Sequence, residues 1–242
     1  MRLDHYLTQH GLFESRARAQ EAVTAGLVRI NGITAIKPAQ KVADDASVTI
    51  EGAVHPYVSR GGLKLEAALD HFGFDPSGQI CLDLGASTGG FCDVLLRRGA
   101  TRIYAVDVGQ GQLHEKIVRD ERVINLEKTH AKDLNGTLVP EKIALIVCDV
   151  SFIGLKKALP FAMSLAAVDA NMVALIKPQF EVGKAGLGKG GIVKPGLAGP
   201  VVEDLTAWMN AMAGWSVIDV IDSPIVGGDG NKEFLLGATK SK

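Results

Sequence analysis

The sequence predicts an α/β fold: a mostly parallel sheet with helices on both faces and an antiparallel last strand, behind a small N-terminal α+β module. Three observations predict it. From about residue 60, short apolar runs bounded by turns alternate with helical stretches, the pattern of a parallel sheet. The last two runs are joined by a connection too short for a parallel crossover, so the final strand must be antiparallel. The first 52 residues follow a different pattern, helix-helix-hairpin.

The elements follow in order. "LDHYL" spaces Leu3, Tyr6 and Leu7 at i, i+3 and i+4, which predicts a helix over 3–10 ended by Gly11. Ser15 can N-cap a second helix over 15–25, with Gly26 behind it. "LVRINGI" alternates into Asn31-Gly32, a hairpin signal, and "ASVTIEG" supplies another strand. A linker over 53–62 then separates a domain at 1–52 from one at 63–242. In the second domain, strands are predicted at 79–85, 102–108, 122–127, 143–150 and 171–178, with helices at 63–72, 90–98, 154–168 and 201–213. "WSVIDVIDSPI" and "KEFLLGAT" close the chain as two strands across "VGGDGN".

Composition excludes several classes. Apolar residues are 47% and charged residues 22%, ordinary globular values. Runs such as "MVALI" fall far short of the ~20 apolar residues a membrane helix needs, so no membrane partner is expected. The N-terminus has no apolar core of a secretory signal, and the expectation is a cytoplasmic protein. Cys81, Cys92 and Cys148 form no C-x-x-C pair and the histidines no H-x-x-x-H, which predicts neither disulfide nor metal site. Net charge is −1, but residues 1–64 hold eight basic against six acidic side chains. That tilt points weakly to RNA at the N-terminal end.

The stretch "CLDLGASTGGF", 81–91, carries the first chemical signal. It lacks the Gly-Lys-Ser/Thr of a phosphate loop, and its G-x-x-x-G-G spacing misses the G-x-G-x-x-G of dinucleotide sites. An Asp-x-Gly-x-x-x-Gly turn without a basic residue suits S-adenosylmethionine (SAM), which has no phosphate to hold. Asp107 stands 22 residues after Gly85 at the next strand tip, where a carboxylate accepts ribose hydroxyls. The second signal is a charge cluster. Asp149 and Lys177 end the fourth and fifth strands, Glu233 opens the antiparallel last strand, and Lys64 lies on the opening helix. Topology brings strand ends to one crevice. Two lysines with two carboxylates suit methyl transfer to a ribose 2′-hydroxyl, which needs in-line alignment and removal of a weakly acidic proton.

The glycine-rich connection 177–196 is expected to lack secondary structure, with Lys184, Lys189 and Lys194 either meeting RNA phosphates or simply solvated. Phe152 and Phe180 are expected in the core, with base stacking as the alternative.

These residues resemble a known family. "RLDHYL" and "ESRARAQEAVTAGLVRINGITAIKPAQKV" resemble the S4 RNA-binding domain. "YVSRGGLKL", "LDLGASTGGF", "YAVDVG", "CDVSFI", "KPQFEVGK", "GKGGIV" and "GGDGNKEFLL" resemble the haemolysin A (TlyA) family of RNA methyltransferases, with an FtsJ-like, Rossmann-like catalytic domain. The resemblance implies SAM-dependent 2′-O-methylation of cytidine in ribosomal RNA, 16S and/or 23S, on ribosomal subunits. It maps a catalytic tetrad onto Lys64, Asp149, Lys177 and Glu233, with Lys177 as general base, Asp149 and Glu233 orienting it, and Lys64 placing the ribose. It maps cofactor contacts onto Asp83, Gly85, Ser87, Thr88, Gly89, Gly90, Phe91 and Asp107. For RNA it offers Arg2, Arg16, Arg18, Lys37 and Lys41, with Arg60 coupling RNA docking to the catalytic domain. One departure stands out: many relatives read about Glu-Arg-Thr-Asn-x-Arg where this chain has Glu127-Lys-Thr-His130-Ala-Lys132. Rival readings are a membrane-active lysin, an NAD-dependent oxidoreductase and a non-catalytic RNA-binding assembly factor.

Overall fold

The structure is a computed structural model that describes residues 1–43, 45–51, 55–227 and 229–241. It divides into two compact units, Met1–Ser59 and Arg60–Lys242. Positions 53 and 54 of the expected linker, and residue 52 before them, lie outside the described residues.

The first unit is built as its sequence demands. Helices α1 (Leu3–Gln9) and α2 (Arg16–Thr24) precede strands β1 (Val28–Ile30), β2 (Ile33–Thr34) and β3 (Val48–Ile50), paired in the order β2-β1-β3. Gly11 and Gly26 take positive φ behind the two helices. The Ser15 hydroxyl accepts the Arg18 amide at 3.3 Å as the N-cap of α2. Asn31 and Gly32 both take positive φ, the condition for a tight turn between β1 and β2. Leu3, Leu7, Ala19, Ala22, Val23, Val28, Ala35 and Val42 form its core.

The second unit opens with α3 (Gly61–Phe72), then β4 (Ile80–Leu84), α4 (Gly90–Arg97), β5 (Arg102–Val106), α5 (Glu115–Val118) and β6 (Val123–Leu126). It continues with β7 (Ile143–Cys148), α6 (Leu155–Ser164), β8 (Ala166–Ile176), α7 (Ala198–Ala211), β9 (Trp215–Asp222) and β10 (Phe234–Lys240). The seven strands pair in the order β6-β5-β4-β7-β8-β10-β9, and β10 runs antiparallel to both neighbours. Strands β4 and β7 are buried almost throughout, which is why they read as unbroken apolar runs. Among the described residues, no helix is long and apolar enough to cross a membrane.

Three expectations change. The helix expected to reach residue 168 ends at Ser164, because Ala166 pairs with Ile143 and the chain is already strand there. A bulge between Ile143 and Leu145, with Asp169 at φ 62°, absorbs the extra residues, so apolar spacing over 165–168 mimicked a helix. The connection after β8 is not structureless. It holds 3₁₀ turns at Pro178–Phe180, Lys184–Gly186 and Lys189–Gly191 and a bridge between Leu187 and Val193. Phe152 is not in the core: it is 91% exposed, on a left-handed turn at φ 65° that aims it outward.

Candidate active site

Strand register builds the site. Leu84 pairs with Val106 and Cys148, and Val106 with Leu126, so four parallel strands end level. The residues just past those ends are Gly85, Asp107, Glu127 and Asp149. Ile176 of β8 pairs with Phe234 of β10, which sets Lys177 and Glu233 side by side at the same edge. The sheet thus delivers three of the four tetrad positions from distant parts of the chain.

The four side chains meet as two ion pairs. Lys177 Nζ lies 2.5 Å from Asp149 Oδ1 and donates to Ser151 Oγ at 2.9 Å. Lys64 Nζ donates to Glu233 Oε2 at 2.5 Å, and both of these side chains are buried, so Glu233, expected to orient Lys177, is paired with Lys64 instead. Lys64 owes its place to the docking of α3. The space a side chain on Gly237 of β10 would fill holds the Phe72 ring, 2.6 Å from an ideal Cβ. That close approach lays α3 on the strand that Glu233 precedes.

The glycine turn is equally constrained. Gly85 has φ 88°, and a Cβ there would lie 2.6 Å from the Asp149 carbonyl oxygen, so only glycine lets the β4 tip run beside Asp149. A Cβ on Gly89, φ 92°, would strike Leu113 and Ile117. Ser87 lies at the exposed crest at φ 47°, with Thr88 next to it and Gly90 opening α4. The Asp107 carboxylate accepts the Ser87 amide at 2.8 Å and the Gly109 amide at 2.7 Å, tying the turn to the next strand. Each carboxylate oxygen keeps a lone pair for a further donor. Asp83 and Phe91 are buried beneath the turn. Asp83 Oδ2 accepts the Cys92 thiol at 3.0 Å, Oδ1 is a buried oxygen with no hydrogen-bond partner among the described residues, and burial pushes this carboxyl up to about 7. A donor set of backbone amides and one carboxylate, with no Lys or Arg between 85 and 91, fits a ligand that carries a diol and no phosphate. SAM has that chemistry. Among the described residues, no group of three His, Cys, Asp or Glu side chains could hold a metal ion.

Two features beside the tetrad were not read from sequence. Ser151, the second partner of Lys177, stands inside the quoted "CDVSFI" but carries no spacing signal. Glu127 accepts the amides of Gln112 and Leu113 at 2.7 and 3.3 Å, which shapes the loop after Asp107. His130 precedes a short 3₁₀ turn at 131–133, with its side chain exposed and making no capping hydrogen bond among the described residues.

The basic residues expected to meet RNA differ in their surroundings. Arg2 and Arg16 both donate to the buried Asp4, at 3.0 and 2.8 Å, while leaving about half of each side chain exposed. Arg18 contacts the His55 ring at 2.6 Å. Lys37 and Lys41 are exposed, and Arg60 precedes α3.

Comparison with known proteins places this architecture. The FtsJ-like methyltransferase family matches residues 57–240 and the S4 domain matches residues 1–48. The 16S/23S rRNA (cytidine-2′-O)-methyltransferase TlyA of Mycobacterium tuberculosis is 43% identical over 97% of this chain and 88% of its own. Hemolysin A of Brachyspira hyodysenteriae is 39% identical over 97% of this chain and 98% of its own. A solved protein of Streptococcus thermophilus, provisionally named a hemolysin, is 40% identical and superposes with a TM-score of 0.78 over 100% of this chain and 89% of its own. The chain belongs to the TlyA (haemolysin A) family, which joins an S4 domain to an FtsJ-like methyltransferase.

Proposed function

We propose that the protein is a SAM-dependent methyltransferase that modifies the ribose 2′-hydroxyl of cytidine in 16S and/or 23S ribosomal RNA, acting on ribosomal subunits in the cytoplasm. The observation that carries the reading is the Lys177–Asp149 pair, set beside the Lys64–Glu233 pair by the strand register next to a phosphate-free glycine turn. The relatives' named activity agrees with it.

Bound at the turn, SAM supplies an electrophilic methyl group on a sulfonium. Gly85, Ser87, Thr88, Gly89 and Gly90 would shape its seat, Asp107 would accept hydrogen bonds from the ribose hydroxyls, and Asp83 and Phe91 would support the turn. Lys177 takes the 2′-hydroxyl proton as general base. Asp149, 2.5 Å from the amine, then stabilises the ammonium that forms, and Ser151 at 2.9 Å fixes its direction. Lys64, with its charge balanced by Glu233, places the ribose. Phe152, exposed and 5.1 Å from the Phe180 ring, offers a face on which the target base stacks. Residues 1–52 serve as the RNA-binding module, joined through 53–62 to the catalytic module 63–242. Arg2, Arg16, Arg18, Lys37, Lys41 and Arg60 contact phosphates, which positions the RNA without reading its sequence. Digestion of 16S and 23S RNA after reaction with labelled SAM tests the reading. It expects label in 2′-O-methylcytidine, and label in a base instead would contradict it.

A further inference from the structure

The segment after β7 and the segment after β8 are held together by a row of contacts, each made by at least one side chain. Lys177 meets Asp149 at 2.5 Å and Ser151 at 2.9 Å. The rings of Phe152 and Phe180 follow, 5.1 Å apart. The row ends where Glu181 Oε1 accepts the Leu155 amide at 2.8 Å, across 26 residues of chain.

That last contact is unusual in where its acceptor comes from. Helix α6 starts with orphan amides that a side chain at the N-cap normally satisfies. Its N-cap is Gly154, which has no side chain, and the acceptor is imported from the Lys177 segment. The glycine is needed for room. A Cβ on Gly154 would lie 2.8 Å from Glu181 Oε2, although its backbone, at φ −75°, suits any residue. Glu181 is half-buried, and burial pushes its carboxyl above the ordinary glutamate value. Placing a carboxylate there costs solvation, which the helix terminus and its amide offset in part.

We infer that Glu181 is a positioning residue for the methyl transfer: by capping α6 from the β8 side it holds the Asp149–Phe152 segment against Lys177, and so sets the direction of the Lys177 amine. The inference rests on the methyltransferase reading above. Glu181 touches neither the amine nor Asp149, and acts through the loop that carries Asp149, Ser151 and Phe152. A misplacement of about 1 Å at a reacting group costs on the order of a hundredfold in rate.

The test compares Glu181→Ala, Glu181→Gln and Gly154→Ala with the wild type. Glutamine keeps the acceptor for Leu155 without the charge. The alanine at 154 leaves Glu181 in place but pushes its carboxylate, the free end of a flexible side chain, off the helix. Steady-state methyl transfer to ribosomal subunits is measured together with hydrogen exchange of the cofactor-free proteins over residues 153–157. The expected result is a kcat lowered about ten- to hundredfold in Glu181→Ala and Gly154→Ala, with KM for SAM and RNA within about twofold. The Leu155 amide should lose protection in the same two variants, and Glu181→Gln should recover most of both. Wild-type kcat in Glu181→Ala would overturn the inference. So would KM values that rise together with global loss of protection and no rescue by glutamine, since that is damage to the fold. No transfer by the wild type would instead remove the methyltransferase reading, and this inference with it.

Discussion

Lys64 and Glu233 stand 169 residues apart in the chain and meet at 2.5 Å with both side chains buried. An ion pair of this kind is not a stability device in itself, because the solvation lost can exceed the attraction gained. Removing one partner, however, strands a buried charge. Lys64→Ala is therefore predicted to destabilise the catalytic unit by about 3–5 kcal/mol. Replacing the pair with Lys64→Met and Glu233→Leu should restore most of that stability while leaving methyl transfer lost. Denaturant titrations of the single and double variants, run with activity assays, check both halves. An active double variant would remove the pair from the chemistry.

Asp83 makes stability depend on pH in a defined direction. Its folded value of about 7 lies above the ordinary 3.8, chiefly through burial, so folding favours the protonated form. The stability it contributes is full below about pH 4 and is lost as pH rises through about 7. At about 1.4 kcal/mol per unit the loss amounts to a few kcal/mol. Asp83→Asn is predicted to flatten this decline, giving a melting temperature that falls less between pH 4 and 8. Parallel melting curves for the two proteins would contradict the assignment.

The N-terminal basic residues should differ in what their loss does. Lys37 and Lys41 are exposed, so replacing both with alanine should weaken RNA binding without unfolding the unit. The salt dependence of binding should flatten by about 0.7 to 0.9 per phosphate contact removed. Arg2 and Arg16 also neutralise Asp4, whose carboxyl they hold well below the usual range. Their replacement should lower the melting temperature as well. Binding isotherms at several salt concentrations, paired with melts, separate the two effects; an unchanged slope would exclude Lys37 and Lys41.

Phe152 carries a prediction of its own. An aromatic side chain 91% exposed at a left-handed turn offers the fold little beyond its one ring contact with Phe180. Stacking on a base is worth about 1–3 kcal/mol, so Phe152→Ala should reduce kcat/KM for RNA by about five- to a hundredfold while Phe152→Trp retains it. Stability should not change. Equal activity in Phe152→Ala would show that the ring meets no base.

The sequence made the sheet legible because buried parallel strands are apolar on both faces and glycine turns punctuate them. Asp107, Asp149 and Lys177 could be placed from strand ends alone, since register forces those ends to one edge. Glu233 followed once a short connection made the last strand antiparallel. The pairing itself was not legible: which lysine meets which carboxylate depends on how α3 docks, and that turns on Gly237 giving way to Phe72. Ser151 and Glu181 were invisible for a related reason, as each matters through a partner 26 residues away. The apolar character of Phe152 argues for burial, whereas its backbone conformation decides its direction. Over 165–168 the apolar spacing of a bulged strand imitates that of a helix.

The central claim, that Lys177 removes the ribose proton during methyl transfer, is tested most directly with labelled SAM, ribosomal subunits lacking the modification, and the wild-type and Lys177→Ala proteins. The predicted result is 2′-O-methylcytidine with the wild type and a loss of at least about a hundredfold in the variant, while SAM binding by calorimetry is unchanged. Transfer by Lys177→Ala at the wild-type rate would contradict it.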